Sequence, residues 1–590
     1  MERYYTSEKH TQILIALMKF HGIRKVVASP GTTNVCFVGS LQNDPYFEIY
    51  SSVDERSAAF MACGLAAESG QPVAITCTGS TASRNYMPGL TEAFYRHLPI
   101  LAITASQPLG RTGNLMPQFI DRSQLPADIA KESINVDCIY TEEDKWACEL
   151  NINRALIALT ANGGGPVHIN LVTTYSSDFS IKELPKVKGI KKVTNFNNMP
   201  SLAEYNRIAI LVGTHSKWSN QLTQKVDAFC EKFNAVVLKN HSCNYKGKYG
   251  VNFALINAMC NIENPLLNAD LVIYIGSVAR YKTKMDKAQM WRVNPDGNIV
   301  DPERKLTMVF QMEEEEFFEY YISKQHYEIK KDVNGISYAE QWQEKYKYMI
   351  DQVGELPFSN VWIAKNTIFR LPKDSTLHLA GSNTARAWNY FELPDNVESY
   401  SNDGTMGIDG QVSALIGESL AFKDKIHFGV VGDLTFFYDM NSVGNRHICN
   451  NLRLMIINNG KGTEFKIYSH PVYKWGKDGD KYMAAAGHFG NKSTSLIKHY
   501  AEDLGFEYLA AYNKNEYLDN IERFISPVLT DKPMIFEVFT DSENESDAIY
   551  VMNHLIETPN GKVKEVVKDT INKVAGEKGI SVVKKFLGKK

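Results

Sequence analysis

Ile426-His427-Phe428-Gly429-Val430-Val431 runs into Gly432-Asp433, and a second apolar run, Leu452-Arg453-Leu454-Met455-Ile456-Ile457, ends in Asn458-Asn459. Short apolar runs bounded by turn residues read as buried strands. A carboxylate and an amide oxygen are therefore expected at the ends of two such strands. Both are hard oxygen donors, the kind that Mg²⁺ takes when it also carries the phosphates of a ligand. Open parallel sheets place ligands at that edge of their strands. The stretch predicts an α/β fold with a magnesium- and phosphate-binding edge.

Far upstream, Ser52-Val53-Asp54-Glu55-Arg56-Ser57-Ala58-Ala59 leads into a helix of small and apolar residues. Gly70 terminates it before the strand Pro72-Val73-Ala74-Ile75-Thr76-Cys77. Glu55 has a plain reading, an acid in a first helical turn favoured by the helix dipole. It also has a chemical one. A carboxyl group shielded from water at a helix start has its pKa moved toward the range of proton traffic.

At 590 residues the chain is too long for one core and divides into about three domains. A hydrophobic share of 44% and a charged share of 22% are those of an ordinary globular protein. With 64 Lys and Arg against 67 Asp and Glu the net charge is only -3, so no global field argues for nucleic acid. Nine cysteines are scattered without C-x-x-C spacing and read as reduced core residues of a cytoplasmic protein. Neither an apolar signal core nor a membrane-crossing stretch is visible.

Strand and helix patterns alternate through three segments, which predicts three doubly wound parallel-sheet domains. The first covers 1–180, a central Rossmann-like domain 200–340, and the third 355–550, with a basic helical tail over 555–590. Residues 178–205, rich in Lys, Pro and Asn, read as a linker. The central domain lacks the three-glycine nucleotide fingerprint and reads as structural. Glu313-Glu314-Glu315-Glu316 reads as solvated helix surface.

Together these segments resemble the thiamine diphosphate-dependent enzymes, and among them the SEPHCHC (2-succinyl-5-enolpyruvyl-6-hydroxy-3-cyclohexene-1-carboxylate) synthases of menaquinone biosynthesis. Four motifs in order carry the resemblance: Ser29-Pro30-Gly31, Val53-Asp54-Glu55-Arg56-Ser57-Ala58, Gly404-Thr405-Met406-Gly407-Ile408-Asp409-Gly410, and Gly432-Asp433-Leu434-Thr435-Phe436-Phe437-Tyr438-Asp439-Met440-Asn441. The resemblance implies a pyrimidine-binding first domain and a diphosphate-binding third domain. It makes Glu55 the acid that activates the cofactor and Gln118 a polar catalytic residue near the reacting carbon. Asp433, the Asn459 side-chain oxygen and the Lys461 carbonyl would hold Mg²⁺. Gly31, Glu55, the run from Gly404 through Asp409, Gly432, Asp433, Leu434, Asn459, Lys461 and Gly462 would line the cofactor, with the helix after Gly432 pointing its amides at the diphosphate. Because the family binds its cofactor between the first domain of one subunit and the third of another, a homodimer or homotetramer is implied.

The departures from the family pattern bear on substrate. Thr32-Thr33 stand where the family has an arginine after its Ser-Pro-Gly-Ser run, and Asp403 stands in place of a second arginine. Guanidinium forks are the natural partners of substrate carboxylates. An aspartate in that place would repel one by about 1 kcal/mol or more, which argues against isochorismate. Arg386 matches a family arginine and Lys282 a basic residue, so a 2-oxo acid donor is still expected, together with an acceptor that the sequence does not identify. The implied activity is decarboxylation of the 2-oxo acid and transfer of the acyl-anion equivalent to that acceptor. A decarboxylase that releases the aldehyde is the first alternative, and a cofactor-binding scaffold without catalysis is the rival from another class.

Overall fold

Val73–Cys77, Val167–Val172 and Leu452–Asn458 are buried along their whole length, and Ile100–Ser106, His427–Gly432 and Met534–Phe539 along all but the last residue. Strands with no solvent face belong in parallel sheets covered on both sides. The computed structural model, which describes residues 4–122, 124–215, 218–259, 264–324, 335–487 and 493–556, has three such sheets, of six, seven and six strands. The basic tail expected over 555–590 lies, from residue 557 on, outside the described residues.

The chain forms two compact units, residues 1–199 with 290–312 and residues 200–289 with 313–590. The first unit holds a six-stranded sheet of Lys25–Ala28, Glu48–Ser51, Val73–Cys77, Ile100–Ser106, Glu132–Val136 and Val167–Val172. Numbered in chain order these strands lie 2-1-3-4-6-5, every pair parallel. The second unit holds Thr376–Leu379, Glu398–Tyr400, His427–Gly432, Leu452–Asn458, Glu507–Ala511 and Met534–Phe539, again parallel and again in the order 2-1-3-4-6-5. In this order the chain leaves strands 1 and 3 in opposite directions, which opens a crevice beyond their C-terminal ends. Each six-stranded sheet therefore offers one ligand-binding edge. The second unit also carries the parallel strands Ile208–Val212, Ala235–Lys239, Gly250–Asn252 and Leu271–Ile275.

Buried polar groups tie the sheet of the second unit to its loops. Arg453 is fully buried in its strand, and its guanidinium donates to the carbonyls of Phe524, Ser526 and Val528. Asn451 donates to the carbonyls of Ser419, Phe422 and Lys425, closing the turn beneath the same strand. Of the acidic stretch read as solvated surface, Glu313 and Glu316 are exposed, whereas the two residues between them are engaged. Glu314 accepts from the His215 ring and from the Gly276 amide, and Glu315 pairs with Lys225.

Glu545, 3% exposed, accepts from the Asn360 amide and the Thr540 hydroxyl. Burial pushes its carboxyl up from 4.5 to about 7, with those hydrogen bonds opposing. A raised folded-state pKa gives stability that is present in full below the unfolded value and lost as pH rises through the folded one. Unfolding stability is thus expected to fall by about 3 kcal/mol between pH 4.5 and pH 7.5 on account of this group. Urea titrations across that range should show the slope in the wild type and a flatter dependence in Glu545→Gln.

Eight cysteines are described and all are unpaired, six of them buried. No helix among the described residues is long and apolar enough to cross a membrane.

Candidate active site

In the sheet of the second unit, Gly432 pairs in register with Ile457, so Asp433 and the Asn458-Asn459 pair emerge side by side. Asp433 opens the helix Asp433–Asp439 and is 2% exposed, and its carboxylate accepts from the Gly460 amide at 3.1 Å. The two asparagines have different duties. Asn458 donates to Glu537 at 2.7 Å, within the sheet. Asn459 keeps a buried side-chain oxygen with no hydrogen-bond partner. Native folds seldom leave such an atom unsatisfied, because the desolvation cost is uncompensated. A hard cation beside Asp433 would satisfy the Asn459 oxygen, and the donor set suits Mg²⁺. Lys461 follows at once, its ammonium paired with Asp480 at 2.9 Å, and the Gly462 amide donates to Ala484. A side chain at Gly462 would meet Leu434, so these two also pack together.

The loop 404–410 lies on the same edge. Gly381, just after the strand Thr376–Leu379, lies close to the Met406 carbonyl, which would stand 3.2 Å from an added Cβ. Met406 itself adopts φ +54°, a left-handed conformation that costs a non-glycine residue free energy and recurs at ligand sites. Gln411 ties the loop down by donating to the Gly407 carbonyl at 2.6 Å. The loop that carries Gly404, Thr405, Met406, Gly407, Ile408 and Asp409 is thereby held, at Met406 and Gly407, beside Gly381.

In the first unit, Glu55 is the first residue of the helix Glu55–Ser69, with Asp54 capping the Ser57 amide and Gly70 ending it at φ +64°. Glu55 is half-buried and accepts from the Asn85 amide group at 3.3 Å. Its charge reaches Cys77, whose thiol burial raises to about 12, and Tyr86, whose phenol burial raises well above its usual value. Gly31 lies against Thr78 so closely that an added Cβ would stand 2.7 Å from the Thr78 Cβ. Gly31→Ala is expected to cost about 1–3 kcal/mol by overpacking, read as a lower denaturation midpoint.

The crevice of the first sheet contains a cavity lined by Thr33, Ser106, Gln107, Gln118, Arg122 and Asn170. Two residues expected at the substrate, Thr33 and Gln118, meet here; Thr32, one residue earlier, is exposed. Thr33 is fixed by a 2.6 Å hydrogen bond to Thr78. Gln118 sits at φ +66°. Arg122 was not singled out by the sequence, because one arginine in a loop without periodicity carries no sign of being buried.

Two expected substrate residues, Asp403 and Arg386, have partners within the fold, and a third, Lys282, is exposed. Asp403, read as an aspartate that would repel a substrate carboxylate, is 2% exposed, ion-paired with Arg280, and accepts from Thr214 and Ser242. Its charge is answered within the second unit, so the expected repulsion fails. Arg386, read as a carboxylate anchor, spends its fork on Glu464, with Nη1 and Nη2 at 3.1 and 3.2 Å from the two oxygens. Lys282 is exposed and only its backbone carbonyl is engaged, by Asn257. The basic residue that meets Asp403 is Arg280, two positions earlier.

Residues 8–125 match the family described as thiamine pyrophosphate enzyme, N-terminal TPP binding domain. Over 564 residues, 92% of this chain and 98% of the relative, the chain is 31% identical to the 2-succinyl-5-enolpyruvyl-6-hydroxy-3-cyclohexene-1-carboxylate synthase of Bacteroides fragilis. It is 30% identical over 94% of its length to the enzyme of the same description from Phocaeicola vulgatus, all of which is covered. Among solved structures, the thiamine diphosphate-dependent 4-hydroxybenzoylformate decarboxylase of Rhodococcus jostii RHA1 aligns over 90% of this chain and 99% of its own at 17% identity, with a TM-score of 0.39. That likeness is too slight to bear on the chemistry.

Proposed function

The chain belongs to the thiamine diphosphate-dependent SEPHCHC synthase family, and from that premise we propose that it decarboxylates a 2-oxo acid and transfers the acyl-anion equivalent to an acceptor, with Mg²⁺ holding the cofactor diphosphate. The observation that carries this reading is the Asn459 side-chain oxygen, buried without a hydrogen-bond partner in the protein, at the sheet edge that also carries the buried Asp433 carboxylate. Asp433, Asn459 and the Lys461 carbonyl would hold the cation. When bound, thiamine diphosphate supplies the electron sink for loss of CO₂.

The chain's own residues bind, orient and control protons. Glu55 would exchange a proton with the aminopyrimidine of the cofactor. The loop 404–410 would line the cofactor, and the Gln118 amide would donate to the oxygen of a keto substrate. The first domain, 1–180, contributes Glu55, and the third, 355–550, contributes the metal, from separate copies in a homodimer or tetramer of cytoplasmic location; the central domain covers 200–340. Phe60 and Met61 on the Glu55 helix are 47% and 39% exposed, with Val53 and Tyr95 more so, which suits a surface that a second copy covers.

With Asp403 paired to Arg280, the case against isochorismate as acceptor rests on the two absent family arginines, at Thr32-Thr33 and at Asp403, and no longer on repulsion. Purified enzyme with Mg²⁺ and cofactor, offered several 2-oxo acids with and without candidate acceptors, distinguishes the outcomes. A coupled product supports the transferase reading, free aldehyde in every case supports a simple decarboxylase, and no CO₂ from any acid refutes both.

A further inference from the structure

The fold of the first unit leaves one charge unanswered. Arg122 is 7% exposed; its Nη2 donates to the Ala105 carbonyl at 3.0 Å, whereas its Nη1 is buried without a partner. Among the described residues no carboxylate stands within ion-pair distance of it, and Arg84 adds positive charge nearby. Burial lowers its pKa to about 10, so the guanidinium stays charged at neutral pH. Buried charges are normally paired, since an isolated one is costly to desolvate. This one stands in the wall of the crevice cavity, where the other polar groups, among them Thr33, Ser106, Gln107, Gln118 and Asn170, are hydroxyls and amides. A cavity with one cation, several neutral donors and no acid in its wall is built for an oxyanion.

We propose that Arg122 is a specificity-determining residue whose guanidinium takes a non-reacting oxyanion of the substrate in this cavity. The assignment rests on the decarboxylase-type reading given above. That chemistry also decides which anion is held. An arginine clamped on the departing carboxylate would stabilise the ground state relative to neutral CO₂ and slow its loss. The group bound by Arg122 must therefore be a second acid, a carboxylate or a phosphonate, set apart from the bond that breaks. It takes over the part of carboxylate anchor that Arg386, paired with Glu464, was expected to play.

The test compares wild type with Arg122→Gln and Arg122→Lys on three acids: 2-oxopentanoate, with a neutral side chain, 2-oxoglutarate and 3-phosphonopyruvate. Wild type is expected to prefer one of the two acidic substrates over the neutral one by about 10- to 100-fold in kcat/KM, the worth of a charge-assisted pair. Which of the two is preferred tells carboxylate from phosphonate. Arg122→Gln should abolish that preference, and Arg122→Lys, which keeps the charge but not the fork, should retain part of it. The proposal is overturned if wild type shows no preference, if the Gln variant keeps it, or if acidic and neutral acids lose rate in equal proportion. A calorimetric titration with glutarate, which cannot react, separates this from the wider reading. Should no acid turn over, saturable binding by wild type that the Gln variant lacks still supports the site, and absence of binding removes it. The Lys variant serves for both measurements if the Gln variant does not fold.

Discussion

Glu55→Gln lowers turnover of any 2-oxo acid by roughly 10²- to 10⁴-fold, the usual contribution of a placed proton donor, while thiamine diphosphate still binds. The substitution is close to isosteric. Glutamine keeps an oxygen to accept from Asn85 and keeps the helix start capped by Asp54. It removes only the acid–base function of the carboxyl group. The competing explanation, an acid placed to suit the helix dipole, makes a different forecast: a stability loss of about 0.3–1 kcal/mol and no change in rate. Cofactor titration by fluorescence, denaturant unfolding and single-turnover CO₂ release together decide between them. Equal turnover in the two proteins, with cofactor bound in both, ends the proton role assigned to Glu55.

The same comparison shows which parts of the molecule were readable from the chain. Gly70 as a helix terminator, Asp433 and Asn459 at strand ends, and the alternation of strand and helix are local features, each set by neighbours a few residues away. The identical strand order of the two six-stranded sheets follows from that alternation once each is wound on both faces. Charge pairing is another matter. Nothing near Asp403 in sequence indicates that Arg280, Ser242 and Thr214 converge on it from the loops that follow three strands of another sheet, and nothing near Arg386 names Glu464. Reading Asp403 as a bare anion was therefore reasonable from its neighbours and wrong in the fold. Arg122 is the converse case, a loop arginine whose burial only tertiary contact reveals. The residues that bear the cofactor were legible because their geometry is local; those that choose the substrate were not, because electrostatics is settled between distant segments.

Asn459→Ala separates the cation from the fold more cleanly than removal of Asp433 does. The Asn459 side-chain oxygen accepts no hydrogen bond from the protein, so its removal breaks no contact within the fold. The ligand-free variant is therefore expected to unfold at about the same denaturant concentration as wild type. Magnesium separates the two. Loss of a partner behind a metal ligand weakens affinity by about 10- to 100-fold, and loss of the ligand itself by at least as much. Wild type at about a hundred times its dissociation constant for Mg²⁺ and cofactor gains about 2.7 kcal/mol by linkage, and a hundredfold weaker variant gains about 0.4 kcal/mol. The two unfolding curves should therefore part on addition of Mg²⁺ with thiamine diphosphate. An ordinary structural asparagine would give a variant weaker under both conditions by the same amount. If that parallel shift is what the curves show, the edge formed by Asp433 and Asn459 does not hold a metal.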